Sequence, residues 1–400
     1  MLSKQLFSAV AALGMASGVM GISCDDTTAT IRSQADATQL ANCETVDGNV
    51  VIDRSVVGLV DLGGSLREIG GDLRAENNGL LETLQSSSLR TIGGVFALRN
   101  VTRLNSLSFQ RLSSVGSIDW VTLSALNSIN FGTPGITRAQ SVVIADTFLQ
   151  TIEGINVETV TDININNNRR LARFSSSIKS LSNTLQVQAN AANLTFELPN
   201  LTWIANMTIA NVTSFSAPSL RTVNGSMRFD SNGFSTFIAP NLTEIQDGDL
   251  SFVSNAQLTN VSLPNLRRVG GGFTIANNTA LERLDGFSGL QEIGGAVKVR
   301  GSFTNVQFPV LEDVKGAFEV TSTEDIENAC SNLSGLRGGV VQGSFSCTGN
   351  NANANNDTSD ADSSGSGSSN NPDSAASPIS ASTPTLFALT ALGAFFTVFL

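Results

Sequence analysis

A short apolar pattern recurs along the chain at a nearly constant interval, and it constrains the fold more than any other feature. Each copy has two apolar residues separated by one, which is typical of a half-buried β-strand. The pairs are Val50/Ile52, Leu73/Ala75, Phe96/Leu98, Ile118/Trp120, Val142/Ile144, Ile163/Ile165, Leu185/Val187, Met207/Ile209, Met227/Phe229, Leu250/Phe252, Phe273/Ile275, Val297/Val299 and Phe318/Val320. Twelve intervals separate Val50 from Phe318, which gives a mean period of about 22 residues.

A period of this length predicts a solenoid, in which each coil buries its apolar face against its neighbours. We therefore expect an all-β fold, a right-handed parallel β-solenoid of about 13 coils. Parallel strands stack about 4.8 Å apart, and the rest of each coil supplies the crossover that parallel pairing requires.

Asparagine recurs two or three residues after the strand pairs. Stacked in register, these amides would donate and accept hydrogen bonds along the coils and satisfy backbone groups in the turns. We interpret this inward ladder as structural rather than as a binding site. Its predicted members are Asn77, Asn100, Asn167, Asn190, Asn211, Asn232, Asn255 and Asn277.

The four cysteines lie where the repeat begins and ends. A solenoid exposes an apolar cross-section at each end and needs caps there. Cys24 and Cys43 precede the first coil, and Cys330 and Cys347 follow the last. Four cysteines allow three pairings, but the ends of a rigid solenoid are too far apart to be bridged. We expect disulfides Cys24–Cys43 and Cys330–Cys347, with the solenoid domain spanning residues 24–347.

The amino-terminal segment predicts a secretory signal peptide over residues 1–23. Lys4 supplies a positive charge, and the apolar run from Leu6 to Val19 ends among small residues. Cleavage is expected between Ala16 and Ser23. A buried helix is the alternative interpretation.

The carboxyl terminus has the layout of a glycosylphosphatidylinositol (GPI) attachment signal. Residues 386–400 are apolar and too few for a comfortable membrane span, and a polar spacer precedes them. We expect Ser374 to receive the anchor, with Asp373 and Gly367 as fallbacks and a propeptide over 375–400. A tail-anchored protein is the competing interpretation. Residues 348–374 are poor in large apolar side chains and predict a disordered Ser/Asn-rich stalk, either O-glycosylated or bare.

Composition excludes several functional classes. The chain has no histidine, which removes Ser-His and Cys-His nucleophile pairs and imidazole metal ligands, and we expect no cofactor or metal. A net charge of −11 disfavours nucleic acid as a partner. A β-helix enzyme that cleaves polysaccharide needs carboxylates gathered on one face. Only Asp119 and Glu319 are acidic among the outward positions between the apolar pairs, and they lie many coils apart. We expect no catalysis.

The repeat has a clear copy from Leu266 to Leu284, with the pattern Leu-x-x-Ile/Val-Gly-Gly, alternating apolar residues, Asn-Asn and Leu-x-x-Leu. It resembles the leucine-rich-like receptor L-domain solenoid. Together with the signal peptide, the stalk and the GPI tail, the whole chain resembles the fungal GPI-anchored cell-wall organisation proteins, which include the yeast extracellular-mutant and sporulation-specific proteins. The resemblance implies a non-enzymatic surface glycoprotein that is required for cell-wall organisation and integrity. It also implies a location at the outer face of the plasma membrane, through the GPI lipid, and in the cell wall.

Eleven Asn-x-Ser/Thr sequons are present. Those at Asn100, Asn211 and Asn277 coincide with the predicted ladder, and we expect low occupancy there. Glycans are predicted at Asn193, Asn200, Asn206, Asn224, Asn241, Asn260 and Asn332; Asn356 is the remaining sequon.

The alternative function is a glycan-binding or receptor-like surface module. Sugars stack on exposed aromatic rings, and Trp203 stands where the other coils carry polar residues. Packing against a neighbouring corner, or under a glycan, is the competing interpretation of Trp203. A cell-wall polysaccharide such as β-glucan, chitin or mannan is the expected partner of such a module.

Overall fold

The computed structural model describes residues 22–355, which fold into a parallel β-solenoid. Consecutive coils pair in parallel from Thr28–Ile31 at one end to Phe345–Thr348 at the other. This confirms the predicted all-β solenoid of about 13 coils and adds one strand at each end. The additional strands belong to the segments that carry the cysteines.

The strands and helices are short and numerous. Before the middle of the chain they are β1 Thr28–Ile31, α1 Gln34–Leu40, β2 Thr45–Val46, β3 Asn49–Ile52, β4 Gly58–Asp61, β5 Glu68–Ile69, β6 Leu73–Glu76, β7 Leu81–Ser86, β8 Thr91–Arg99, β9 Ser106–Phe109, β10 Ser114–Leu123, β11 Ser128–Asn130, β12 Ser141–Thr147, β13 Thr151–Ile152, β14 Thr159–Asn166, β15 Arg173–Ser175 and β16 Ser180–Gln188. The remainder are β17 Thr195–Glu197, β18 Trp203–Ala210, β19 Ser214–Ser216, β20 Thr222–Val223, β21 Met227–Asp230, β22 Thr236–Ile238, β23 Glu244–Ile245, β24 Leu250–Val253, β25 Asn260–Ser262, β26 Arg268–Val269, β27 Phe273–Ala276, β28 Arg283–Leu284, β29 Glu292–Ile293, β30 Val297–Gly301, β31 Asn305–Val306, β32 Asp313–Val314, β33 Phe318–Ser322, α2 Glu327–Leu333, a 3₁₀ turn Ser334–Leu336 and β34 Phe345–Thr348.

One large sheet of 22 strands runs along the solenoid, and smaller sheets form the opposite side of the coils. The smaller sheets contain β4, β7, β9 and β11; β13, β15, β17 and β19; β22 and β25; and β28 and β31. All the apolar pairs predicted from the repeat are buried between these sheets. Phenylalanine rings stack across coils, with centroids 4.6 Å apart for Phe174 and Phe196 and 4.7 Å apart for Phe229 and Phe252. Burying one such ring stabilises the fold by about 1.5–3 kcal/mol.

A short helix and a disulfide lie at each end of the solenoid. Helix α1 begins after Ser33, whose side chain accepts a hydrogen bond from the backbone of Asp36, and it buries Ala37 and Leu40 against the first coils. Helix α2 buries Ala329 and Leu333 at the other end. These apolar faces cover the cross-sections that stacking leaves open. The disulfides are Cys24–Cys43 and Cys330–Cys347, as predicted.

The large sheet contains two kinds of corner, which differ in length by one or two residues. In a short corner, two residues separate the last inward residue before the bend from the first one after it. The short corners are Gly116-Ser117, Gln140-Ser141, Thr161-Asp162 and Ala205-Asn206. In a long corner, three or four residues separate these inward positions. Examples are Gly70-Gly71-Asp72, Ser182-Asn183-Thr184 and Gly294-Gly295-Ala296.

The strand register reflects this difference. Register shifts fall between Val115 and Ser117, between Val160 and Asp162, and between Leu181 and Thr184. In each pair of strands, one strand has a short corner and its neighbour has a long one. The extra residue of the long corner is therefore accommodated as a bulge.

Candidate functional site

A groove of about 750 Å³ lies over three consecutive short corners in the middle of the solenoid. It is lined by the corner residues Gly116, Gln140 and Thr161, and it ends at Ser182, in the next long corner. The long corners Gly93-Gly94-Val95 and Ser182-Asn183-Thr184 lie on the neighbouring coils on either side. The groove thus coincides with the run of three short corners.

The groove is lined mainly by neutral polar side chains. Those with no side-chain hydrogen bond to another described residue are Gln140, Thr159, Thr161, Ser180 and Ser182. Arg138 also lines the groove and has no carboxylate partner among the described residues. Each of these groups retains its capacity to hydrogen-bond with a ligand.

Other lining groups are already bound within the protein. The Nζ atom of Lys179 lies 2.8 Å from Oε2 of Glu158, which pairs that carboxylate. The side chain of Asn156 donates to the carbonyl oxygen of Pro134 at 2.6 Å, and Thr137 donates to the carbonyl of Ser113. Among its described lining residues, the groove thus presents one cation without a carboxylate partner, Arg138, and one carboxylate paired with Lys179, among neutral hydroxyl and amide groups.

Trp203 lies beside this groove rather than at a distance from it. It is the register neighbour of Ser180, on the next strand of the large sheet, and Thr222 follows it on the other side. Its side chain is half-buried, and no aromatic ring of the described residues stacks on it. The register confirms that the same position is polar in the following coils, where Glu244 and Arg268 occupy it.

The two outward acids that an enzyme would need are separated and paired. Asp119 accepts hydrogen bonds from Arg99, and this contact holds the pKa of Arg99 above its ordinary value because its effect exceeds that of desolvation, which lowers the pKa. Glu319 lies 2.9 Å from the guanidinium of Arg300. Within residues 22–355, no three His, Cys, Asp or Glu side chains lie close enough together to hold a metal ion.

The asparagine ladder exists, but the sequence prediction placed part of it in the wrong column. Asn190, Asn232 and Asn255 turn towards the coil interior as predicted. Five predicted members instead have positive φ, the left-handed conformation that asparagine tolerates better than most residues. They are Asn77, Asn100, Asn167, Asn211 and Asn277.

The buried column contains the residue that follows each of those positions. Asn255 donates to Asn278, and its own Oδ1 accepts from the backbone and side chain of Asn232 at 2.9 Å each. Asn168 is linked to Asn190 in the same way, and Asn78 occupies the equivalent place near the first coils. The sequence prediction missed Asn78, Asn168 and Asn278 because two adjacent asparagines fit the repeat equally well.

Three sequons lie at these left-handed positions. Asn100 and Asn211 are exposed, so the predicted reason for low occupancy there was wrong. Asn277 is half-buried and donates to Oγ of Ser254 at 3.1 Å. Of the sequons with predicted glycans, Asn224 is half-buried and the others are exposed: Asn193, Asn200, Asn206, Asn241, Asn260 and Asn332.

Several sequence predictions lie outside the described residues. These are most of the signal peptide, the stalk beyond Asn355, the Asn356 sequon, Ser374 and the propeptide. In the described part of the chain, no helix is long and apolar enough to cross a membrane.

The groove residues were not predicted from the sequence, although a signal for them is present. The interval from Val115 to Ile118, and the equivalent intervals in the next two coils, is three residues, whereas Ile69 and Leu73 are four apart. Counting the residues between inward positions would have marked the short corners. It would not have shown that three of them form one groove.

The fold and its surface define a class, an all-β solenoid with disulfides near both ends and a polar groove on one face. A family model described as GPI-anchored cell wall organization protein, Ecm33, matches residues 1–41. "Protein ecm33" of Aspergillus fumigatus is 36% identical over 85% of this chain and 84% of its own length. "Cell surface GPI-anchored protein" of Arthroderma benhamiae is 34% identical over 86% of this chain and 87% of its own.

"Sporulation-specific protein 2" of Saccharomyces cerevisiae is 36% identical over 77% of this chain and 61% of its own length. No solved structure gives a significant match. The chain belongs to the Ecm33 family of GPI-anchored cell wall organization proteins, which confirms the resemblance found in the sequence. The family confirms the expected location at the cell surface and in the cell wall.

Proposed function

We propose that this protein is a GPI-anchored surface glycoprotein that organises the fungal cell wall through a structural or scaffold role, without catalysis. The observation that carries the proposal is family membership over most of the chain, with relatives named for the cell wall and the cell surface. A continuous apolar core through all coils supports a scaffold, since stacked coils hold their surface groups at fixed spacings. The pairing of Asp119 with Arg99 supports the absence of catalysis.

The proposal includes the processing that the sequence predicts. Residues 1–23 are removed as a signal peptide, 24–347 form the surface domain, and 348–374 form the stalk. Ser374 receives the GPI lipid, and 375–400 leave on maturation. Release of the protein from intact cells by phospholipase C, followed by β-glucanase treatment of the washed wall, tests the anchor. Release by either enzyme supports it. Retention after both treatments, with an intact hydrophobic tail, would contradict it.

A deletion strain tests the wall function and the absence of catalysis together. We expect increased sensitivity to wall-perturbing agents, restored by the wild-type gene and equally by an Asp119→Asn, Glu319→Gln double variant. The thermal unfolding midpoint of the double variant checks that it folds. Normal resistance in the deletion strain would contradict a role in wall organisation. Failure of a folded double variant to restore resistance would argue for catalysis.

A further inference from the structure

We propose that the groove over the three short corners binds a neutral polysaccharide chain, and that Trp203 stacks on a sugar ring at one end. The inference rests on the proposed function only for the place where the protein meets its ligand, the cell wall. The site itself follows from the groove and its lining. The proposed site combines Trp203, which the sequence singled out, with groove side chains that the sequence did not indicate.

The chemistry of the lining suits sugar hydroxyls. Gln140, Thr159, Thr161, Ser180 and Ser182 each offer a donor and an acceptor without a side-chain partner among the described residues. A sugar hydroxyl likewise donates and accepts, so such groups can be satisfied pairwise. Binding pockets for apolar small molecules are lined mainly by hydrophobic and aromatic side chains, and this groove is not. Its lining therefore favours a polyhydroxylated ligand.

Trp203 supplies the apolar contact that hydroxyl recognition lacks. Aromatic rings pack against flat apolar faces, and a pyranose ring has such a face where its C–H groups lie. Since Trp203 is the register neighbour of Ser180, its backbone lies about one strand spacing, ~4.8 Å, from the strand that carries Ser180 and Ser182. A chain that leaves the groove past Ser180 would reach it.

The geometry of the groove favours a chain rather than a single sugar. The groove crosses the strands at Gly116, Gln140, Thr161 and Ser182, and Trp203 lies on the fifth strand. Four spacings of about 4.8 Å give a length of roughly 19 Å along the solenoid. This length accommodates several linked sugar units, with their hydroxyls facing successive coils.

Two other ligand classes fit less well. An extended peptide binds a sheet by adding a strand to a free edge. The strands under the groove are paired on both sides, as β12 is with β10 and β14, so they offer no such edge. An anionic ligand would be held by several cations. Among the described residues that line the groove, Arg138 is the one cation, and the carboxylate of Glu158, which pairs with Lys179 outside the lining, disfavours an anion further.

The test measures binding of the full-length glycosylated protein, purified in detergent and immobilised, to defined oligosaccharides. The probes are oligomers of β-1,3-glucan, chitin and mannan, with a phosphorylated mannan oligomer and heparin as anionic probes. We expect at least one neutral oligomer to bind, with affinity that rises with chain length up to several units. Changes in ionic strength should have little effect on the affinity for the neutral oligomer, because the contacts are between neutral groups.

Matched variants locate the binding. Gln140→Ala, Thr161→Ala and Trp203→Ala should each raise Kd about fivefold or more, the effect of losing one hydrogen bond or one stacking contact. Gln246 follows Ile245 as Gln140 follows Ala139, but it lies in a long corner outside the groove. Gln246→Ala and Thr222→Ala should therefore leave Kd unchanged. All variants change exposed or half-buried groups, and equal thermal unfolding midpoints confirm that they fold.

Three outcomes would overturn the proposal. They are no binding of any neutral oligomer, binding confined to the anionic probes, and equal losses in the groove variants and their controls. The inference can fail while the proposed function stands, since a deletion strain would still lose wall integrity. Conversely, oligosaccharide binding with normal wall integrity in the deletion strain would retain the groove and reject the role in wall organisation.

Discussion

The short-corner coils and the long-corner coils have the same interior and different surfaces. In both, the inward residues alternate and are buried. In the long corners formed by glycines the backbone of one coil packs directly on the next, so that a Cβ atom added at Gly294 would overlap the carbonyl oxygen of Gly270. In the short corners at Gln140 and Thr161 the same position carries a side chain that faces the groove. A Cβ atom added at Gly116, in a short corner, would likewise overlap the carbonyl oxygens of Gly93 and Gly94. Close backbone stacking therefore follows glycine at a corner, and the short corners at Gln140 and Thr161 differ because they carry side chains that line the groove.

Individual corners also satisfy their backbone groups differently. In long corners, a polar side chain accepts a hydrogen bond from the next coil, as Oδ1 of Asp72 does from the N–H of Val95 at 2.6 Å. Asp249 does the same for Gly272 at 2.8 Å. In the short corner at Asp162, the carboxylate accepts from the side chain of Asn183 instead. Asn206, in another short corner, does accept from the backbone N–H of Ser226 at 3.0 Å, so the absence of this contact at Asp162 is not a property of all short corners.

The largest effect is expected for the buried asparagine column beside the long corners. Asn255→Ala removes a fully buried amide and leaves the backbone N–H and the side-chain N–H of Asn232 without their acceptor. We expect a loss of about 3 kcal/mol in the free energy of unfolding, measured by urea denaturation. Asn190→Ala, at a half-buried position in the same column, should cost less. Equal losses would show that burial of the amide does not set the cost.

The second largest loss of stability is expected at the glycines of the long corners. Gly294→Ala should lower the free energy of unfolding by about 2 kcal/mol, because the added methyl group overlaps backbone atoms that cannot move independently. Thermal and urea unfolding measure the loss. A neutral result would mean that neighbouring coils separate easily at their corners, which contradicts the close stacking described above.

A smaller, pH-dependent effect is expected at Asp72. Burial raises the pKa of this carboxyl, but the Val95 N–H and Arg74 together lower it further, so the net pKa lies below its ordinary value. A lowered folded-state pKa means that the contribution is complete above about pH 4 and is lost as the pH falls through the folded value. Asp72→Asn should cost about 1 kcal/mol at pH 7 and less at pH 3, measured by urea unfolding at both values. Asp162→Asn is the matched short-corner control and should cost less at pH 7. A larger loss for Asp162→Asn than for Asp72→Asn would contradict the expected difference between the two corners.

The smallest effect is expected in a short corner. Thr161→Ala removes a side chain that faces the groove and should change the free energy of unfolding by no more than about 0.5 kcal/mol. Thr161 occupies the corner position that Gly294 holds in its own coil. A loss as large as that of Gly294→Ala would show that Thr161 supports the fold rather than a ligand.

The period and the alternation of the sequence determined the coil number, the inward residues and the ends of the solenoid. They could do so because burial of apolar side chains is the same in every coil and therefore repeats in the sequence. Only the tertiary structure decided which of two adjacent asparagines turns inward, since that depends on which one takes the left-handed conformation. It also decided that Gln140, Thr161 and Trp203 lie along one face. A groove arises from differences between neighbouring coils, and no single repeat contains that information.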